Sequence, residues 1–181
     1  MPDQVRHDEI KDEFYFETVN IYSWFEDTLF FNTFFIMKGY QMITKMLVGF
    51  DASEESYKAF DFALDMAASH KSEPEILVLS VIRPPEGMNL VDTDSLLDEA
   101  AQEFKTELAG LTEKAKSANL KISTDVAVGH PADTIVRYAE EKGCSLIIVG
   151  HKGRSKLGGL LLGSVSRHIA SLAGCTVVIV R

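Results

Sequence analysis

GHKGRSKLGGLLLGSVSRH, Gly150 to His168, joins the apolar run SLIIVG (Ser145–Gly150) to a stretch with helical patterning. It carries five glycines and the cations Lys152, Arg154 and Lys156. A buried strand ending on glycine and a helix opening on Gly163-Ser164 are the two halves of a strand-loop-helix unit, and the rest of the chain repeats that unit.

Upstream, KMLVGF (Lys45–Phe50) and EILVLSVI (Glu75–Ile82) are short, almost wholly apolar runs. Such runs suit strands covered on both faces. Between them, residues 53–70 place Ala59, Ala63, Met66 and Ala67 on one helical face, with Phe60 and Leu64 widening it. A second amphipathic helix is expected over about residues 93–118, with Leu97, Ala101, Phe104, Leu108, Leu111 and Ala115 along one side. KISTDVAV (Lys121–Val128) alternates and reads as an edge strand. HPADTIVRYAEEKG follows as a helix with Pro131 in its first turn and Gly143 placed to end it. Ser164–Ala173 closes as a helix at Gly174, and TVVIV (Thr176–Val180) is the last strand. The order βαβαβαβαβ predicts an open parallel sheet with helices on both faces. Ligands of such sheets bind beyond the carboxyl ends of the strands, where the winding reverses. The loops after Phe50 and Gly150 are the ones that meet there.

The 181 residues hold one such domain and an appendage. Of the 17 aromatic residues 11 lie in residues 1–41, a segment with net charge −5 and no clear period. Residues 1–41 are therefore expected to be an extension, disordered, loosely packed or artefactual; an aromatic docking arm is the sharper alternative. Residues 42–181 form the domain. A net charge of −9 speaks against general affinity for nucleic acid or anionic membrane. No run approaches the ~20 apolar residues of a membrane span. The acidic N-terminus lacks the pattern of a secretory signal. Two cysteines, Cys144 and Cys175, without CxxC spacing fit a reducing cytoplasm.

Within the loop, Gly150 ends a strand, where a missing side chain lets a ligand lie against the backbone. Gly163 and Ser164 open a helix whose N–H groups and dipole attract anions. Ser164 is expected to cap that helix or donate to phosphate, with Ser166 one step inside. The GxxxxGK[ST] phosphate loop is absent, and FDASEES follows the first strand where a dinucleotide fold needs GxGxxG. Taken alone, the glycines fit either a phosphate cradle or a long connection with several turns.

VGFDASEES, VGHPADTIVRYAEEKGCSLIIVG and GHKGRSKLGGLLLGS together resemble the universal stress protein family. The last matches its Gly-x2-Gly-x9-Gly-Ser/Thr signature, the mark of the ATP-binding branch. The resemblance implies a Rossmann-like five-stranded parallel sheet of order 3-2-1-4-5. It also implies an ATP site between the first and fourth strands of the domain. By the same resemblance, Asp51 lies near the adenosine, Val81 offers a backbone contact to adenine, and Phe50 and Val149 belong to the cofactor-binding set. Gly150 and Gly153 meet ribose and phosphates, and Gly163, Ser164, Val165 and Ser166 cradle the phosphates. Mg2+ or Mn2+ would be carried by the phosphates. A homodimer through the edge strand Thr176–Val180 is implied as well. The role expected is nucleotide-dependent regulation in a stress response, with at most slow ATP hydrolysis. A nucleotidyl- or phosphoryl-transfer enzyme using the same pocket is the alternative.

Other polar residues read more simply. Asp51 and Glu54 have the spacing of a helix cap. His130 and His151 are loop residues without an adjacent carboxylate to orient them, and Arg167 and His168 fall on an exposed helix face. Asp92, Asp94, Asp98 and Glu99 surround a helix start, where the dipole favours acids. Cys144 and Cys175 are expected close together at the amino edge of the sheet, as small buried hydrophobes before a redox pair.

Overall fold

The computed structural model describes residues 33–36, 43–69, 74–84, 90–154 and 162–181. The remainder of the aromatic extension and the loop centre with Lys156, Gly158 and Gly159 lie outside the described residues. In chain order the elements are β1 (Thr33–Ile36), β2 (Lys45–Gly49), α1 (Glu54–Ser69), β3 (Glu75–Ile82) and α2 (Leu90–Ser117). They continue with β4 (Ile122–Val128), α3 (Pro131–Lys142), β5 (Leu146–Gly150), α4 (Ser164–Leu172) and β6 (Thr176–Val180).

The five parallel strands stand in the order β4-β3-β2-β5-β6. This is the order 3-2-1-4-5 counted within the domain. Side chains alternate across the central strand, so Met46 and Val48 enter one apolar layer and Leu47 the other. The first layer is closed by α1 (Ala59, Phe60, Ala63, Leu64) and by α2 (Leu108, Leu111, Ala115). The second is closed by α3 (Ile135, Val136, Ala139) and by α4 through Ile169. Burial on both faces explains why β2 and β5 read as continuous apolar runs. Strand β4, with much of its length exposed, is an outer strand as its alternation predicts.

A sixth strand lies outside the expected five. Thr33–Ile36 pairs antiparallel with β6, in register from Thr33↔Val180 to Ile36↔Val177. The edge expected to require a partner chain is covered by four residues of the chain's own extension. Aromatic content without a period of two gave no sequence signal for it.

The four helices among the described residues start at the carboxyl edge of the sheet and return to its amino edge. Their ends are chemically defined. At α3, Gly143 takes φ 66°, its N–H donates to Glu140 O (3.1 Å), and Cys144 N–H donates to Ala139 O (2.8 Å). That is a Schellman cap, which satisfies two carbonyls the helix leaves open. Asn119, at φ 59°, ends α2 with the same pair of bonds. Helix α4 ends differently from expectation. Ala173 is its extended C-cap, so Gly174 is not the residue that closes it.

Nothing among the described residues lies within 4 Å of a Cβ built on Gly143, so its requirement for glycine there is conformational. Gly143→Ala should cost about 1–2 kcal/mol, the penalty of the left-handed region for an L-residue. Urea unfolding measures it, and an unchanged midpoint would contradict the cap.

Candidate functional site

Strands β2 and β5 are the central neighbours from which the chain winds in opposite directions. Their carboxyl ends deliver Phe50-Asp51 and Gly150-His151 to the same edge. After Phe50 the chain turns sharply: Ala52 takes φ 59°, a left-handed conformation that reverses the backbone. This brings Ser53 back to Asp51, whose Oδ1 accepts from Ser53 N–H (3.1 Å) and Ser53 Oγ–H (2.5 Å). Ser53 Oγ in turn accepts from Ser56 N–H at 3.2 Å. The N-cap of α1 is therefore Ser53, with Asp51 supporting it from behind, in place of an Asp51–Glu54 box.

The second oxygen of Asp51 reaches across the switch point. Oδ2 accepts from Arg154 N–H at 3.1 Å, linking the turn after β2 to the loop after β5. A Cβ on Gly153 would stand 2.4 Å from that oxygen. Glycine at 153 is the condition for this carboxylate to sit where it does. Gly150 has a similar reason: a Cβ there would meet Cβ, C and O of Glu55 at 2.7–2.9 Å. The first turn of α1 fills the position that a side chain at 150 would take.

Helix α4 is held against the end of β5 by two bonds. Ser166 Oγ, buried, donates to Gly150 O at 2.7 Å, and Gly163 N–H donates to His151 O at 2.7 Å. The N-cap is Gly163, and Ser164 is the first helical residue. A glycine cap brings no side chain over the first turn, and no acid lies within that turn. Among the described residues, no side chain accepts from the N–H groups at the start of α4, which suits them to an external acceptor. Ser164 and Val165 are exposed, whereas the hydroxyl of Ser166 is committed to the strand.

The other predicted residues divide by what they can offer. Phe50 is 2% exposed and packs edge-on against Tyr57, their ring centroids 5.0 Å apart. Val149 is buried in the α3–α4 layer. Each can meet a ligand only through its backbone. Val81, half-buried near the end of β3, lies on the same carboxyl edge.

Arg154 is not a loose cation. Its guanidinium pairs with Glu103 (2.9 Å) and lies 5.2 Å from the centroid of Phe104 on α2. Beside it, Tyr57 Oη donates to Glu107 (2.5 Å), and this bond, with burial, pushes the phenol up to about 12. Tyr57 remains a protonated donor. Glu103, Phe104 and Glu107 are site neighbours that sequence could not place, because about fifty residues separate them from their partners.

His151 is buried, and its Nδ1 meets no hydrogen-bond partner among the described residues. Loss of hydration lowers the imidazole pKa below its ordinary 6.5, and the nearby Lys152 and Arg181 act in the same direction while Glu55 opposes them. The ring is neutral at pH 7. Arg167 and His168 are exposed on α4, as their position predicts.

A depression of about 590 Å³ opens at the opposite, amino edge, lined by Thr44, Glu140, Gly143, Cys144, Gly174 and Cys175 among others. It faces the C-terminal end of α3, where the dipole is negative, and adds the Glu140 carboxylate. That chemistry repels phosphate. The two cysteines do converge there. Burial pushes the Cys144 thiol up to about 11, so it is a protonated apolar group and not a nucleophile.

The sequence model of the Universal stress protein family matches residues 42–181. The chain belongs to the universal stress protein family. The Bacillus subtilis universal stress protein YxiE is 38% identical over 148 residues, covering 77% of this chain and 100% of the relative. In structure, UspA from Lactobacillus plantarum superposes with a TM-score of 0.72 at 23% identity, covering 78% of this chain and 100% of that one. A universal stress protein solved in complex with cAMP superposes with a TM-score of 0.59 at 30% identity, covering 76% and 97%. The family match leaves β1 outside its bounds.

Two predictions follow from the packing. Gly150→Ala should destabilise by about 1–3 kcal/mol, because the helix backbone opposite cannot step aside as a flexible side chain can. Gly153→Ala should act mainly on Asp51, and crystal structures of the two variants would separate the effects. For His151 the sign is set by its depressed pKa. Below pH 6.5 the unfolded chain takes up a proton that the folded chain refuses, so stability falls as pH drops toward the folded pKa. Replacing it, His151→Gln, should flatten the dependence of unfolding free energy on pH below about 6.5. Parallel curves for both proteins would contradict the burial argument.

Proposed function

We propose that this universal stress protein binds ATP across the β2–β5 switch point and serves as a nucleotide-dependent regulator. The observation that carries the reading is the uncapped start of α4, anchored by Gly163 and Ser166, on the same edge as the Asp51 carboxylate. First-turn N–H groups suit phosphate oxygens, and a carboxylate suits the hydroxyls of a ribose. The cAMP complex of a relative places an adenine nucleotide within the family. A divalent ion, Mg2+ or Mn2+, would travel with the phosphates and offset their charge against Asp51.

Binding is favoured over turnover by what the charged residues already do. Arg154, the guanidinium nearest the loop's start, is spent on Glu103 and Phe104. His151 is neutral, buried and without a described carboxylate holding it as a base. Stabilising charge that develops on a transferred phosphoryl group requires preorganised donors aimed at it, and these side chains are aimed elsewhere.

The test uses a change whose two effects have opposite signs. Ser164→Asp places a carboxylate at the first position of α4. It should raise the stability of the nucleotide-free protein by about 0.3–1 kcal/mol through the helix dipole. It should also weaken ATP at least tenfold, ~1.4 kcal/mol, by occupying and repelling at the phosphate position. Thermal unfolding and calorimetric titration read the two effects. Undiminished ATP affinity, or no ATP binding by the unaltered protein, would overturn the assignment.

A further inference from the structure

The nucleotide reading concerns the carboxyl edge, whereas both cysteines of the chain stand at the amino edge. Leu146 of β5 pairs with Thr176 of β6. One step back along both strands sets Ser145 beside Cys175, with Cys144 one residue further. Parallel strands about 4.8 Å apart, rising about 3.3 Å per residue, put the two Cα atoms about 6 Å apart. A disulfide spans roughly 4.4–6.8 Å between Cα atoms. The side chains also share a layer, since Cys144 is buried among the α3–α4 apolar residues and Cys175 packs against them. Both line the depression of about 590 Å³, and Cys175 is the more exposed of the two.

We propose that Cys144 and Cys175 form a reversible dithiol–disulfide site, oxidised by small disulfides such as oxidised glutathione that enter the amino-edge depression. The exchange has two steps. Cys175 attacks one sulfur of the small disulfide as its thiolate, that S–S bond breaks, and one small thiol leaves. A mixed disulfide stays on Cys175. Cys144 then gives its proton to solvent, its sulfur bonds to that of Cys175, and the second small thiol is displaced. Two electrons pass from the protein to the small disulfide, whose halves leave as thiols carrying the two protons.

Cys144 cannot begin the exchange, because burial holds it protonated. Among the charges around it, Lys45 of β2 and Lys142 of α3 favour the thiolate, whereas Cys175 and Glu75 of β3 oppose it. Glu140 of α3 lines the same depression. The ionised fraction of a thiol with a pKa of about 11 rises about tenfold per pH unit below that value, so the second step is slow at pH 7 and quickens in alkali. The closed pair encloses 30 residues, 145–174, which hold β5, the whole glycine loop and α4. A bond at the base of that unit restricts the unfolded chain and stabilises the fold, whether or not the carboxyl edge takes ATP.

Equilibration of the complete chain with graded ratios of oxidised to reduced glutathione tests the pair, since the sequence holds no third cysteine. Mass spectrometry of acid-quenched samples should show the loss of two hydrogens and a peptide link from Cys144 to Cys175. In the folded protein the bond should form at a ratio at least tenfold less oxidising than in the urea-unfolded chain. The oxidised protein should then unfold at a higher urea concentration than the reduced one. Closure from the mixed disulfide should quicken about tenfold from pH 7 to pH 8. Cys144→Ser should stop at the mixed disulfide on Cys175; if that variant fails to fold, the unaltered chain decides alone. Oxidation that is no easier in the folded state overturns the proposal. So does a mixed disulfide that persists on Cys175 of the unaltered chain, or a bond formed only between two chains.

Discussion

The buried hydroxyl of Ser166, donating to Gly150 O at 2.7 Å, fixes the relation on which the carboxyl edge depends. It fastens the first turn of α4 to the last residue of β5, and the Gly163–His151 backbone bond closes the same gap from the other side. A made hydrogen bond contributes only about 0.5–1.5 kcal/mol net, but an unmet buried partner costs about 1–3 kcal/mol. The geometry is therefore guarded more by the penalty of loss than by the gain of formation. With both bonds in place, a helix start, a strand end and the Asp51 carboxylate hold fixed positions before any ligand arrives.

That fixity changes what the glycine spacing means. Gly150 is small because the α1 backbone lies against it, and Gly153 because Asp51 Oδ2 does. Gly163 meets His151 O at 3.1 Å from a built Cβ, a tight but adjustable fit. Each is explained by the protein's own packing. The spacing is thus a record of how closely three backbone segments approach, and the case for phosphate rests elsewhere, on the uncapped helix start.

The sheet was legible because burial on two faces writes itself as apolar runs. The bounds of β3 and β6 fall where their patterns place them, and α3 was marked at both ends by Pro131 and Gly143. Cap details were less legible. Asp51-x-x-Glu54 and Gly163-Ser164 each admit two caps, and only the local backbone selects Ser53 and Gly163. The convergence of Cys144 and Cys175 was legible from strand order, but these side-chain and edge partners were not. Nothing near Arg154 in sequence announces Glu103, and nothing in TFFI announces β6, since each contact is made by the fold rather than by the segment.

The two edges of the sheet are chemically opposite for one reason. Among the described residues every helix runs from carboxyl edge to amino edge, so helix N-termini gather at one and C-termini at the other. The amino-edge depression combines carbonyl ends with Glu140 and a protonated Cys144. The carboxyl edge carries the N–H groups and the hinge of the chain's winding. Strand β6 touches the carboxyl edge too: Val180 O accepts from His151 N–H at 2.7 Å, while Thr33 pairs with the same Val180 from the outside. One residue thus belongs to both the side edge and the foot of the glycine loop. The polarity of the helices makes that edge the one suited to anions.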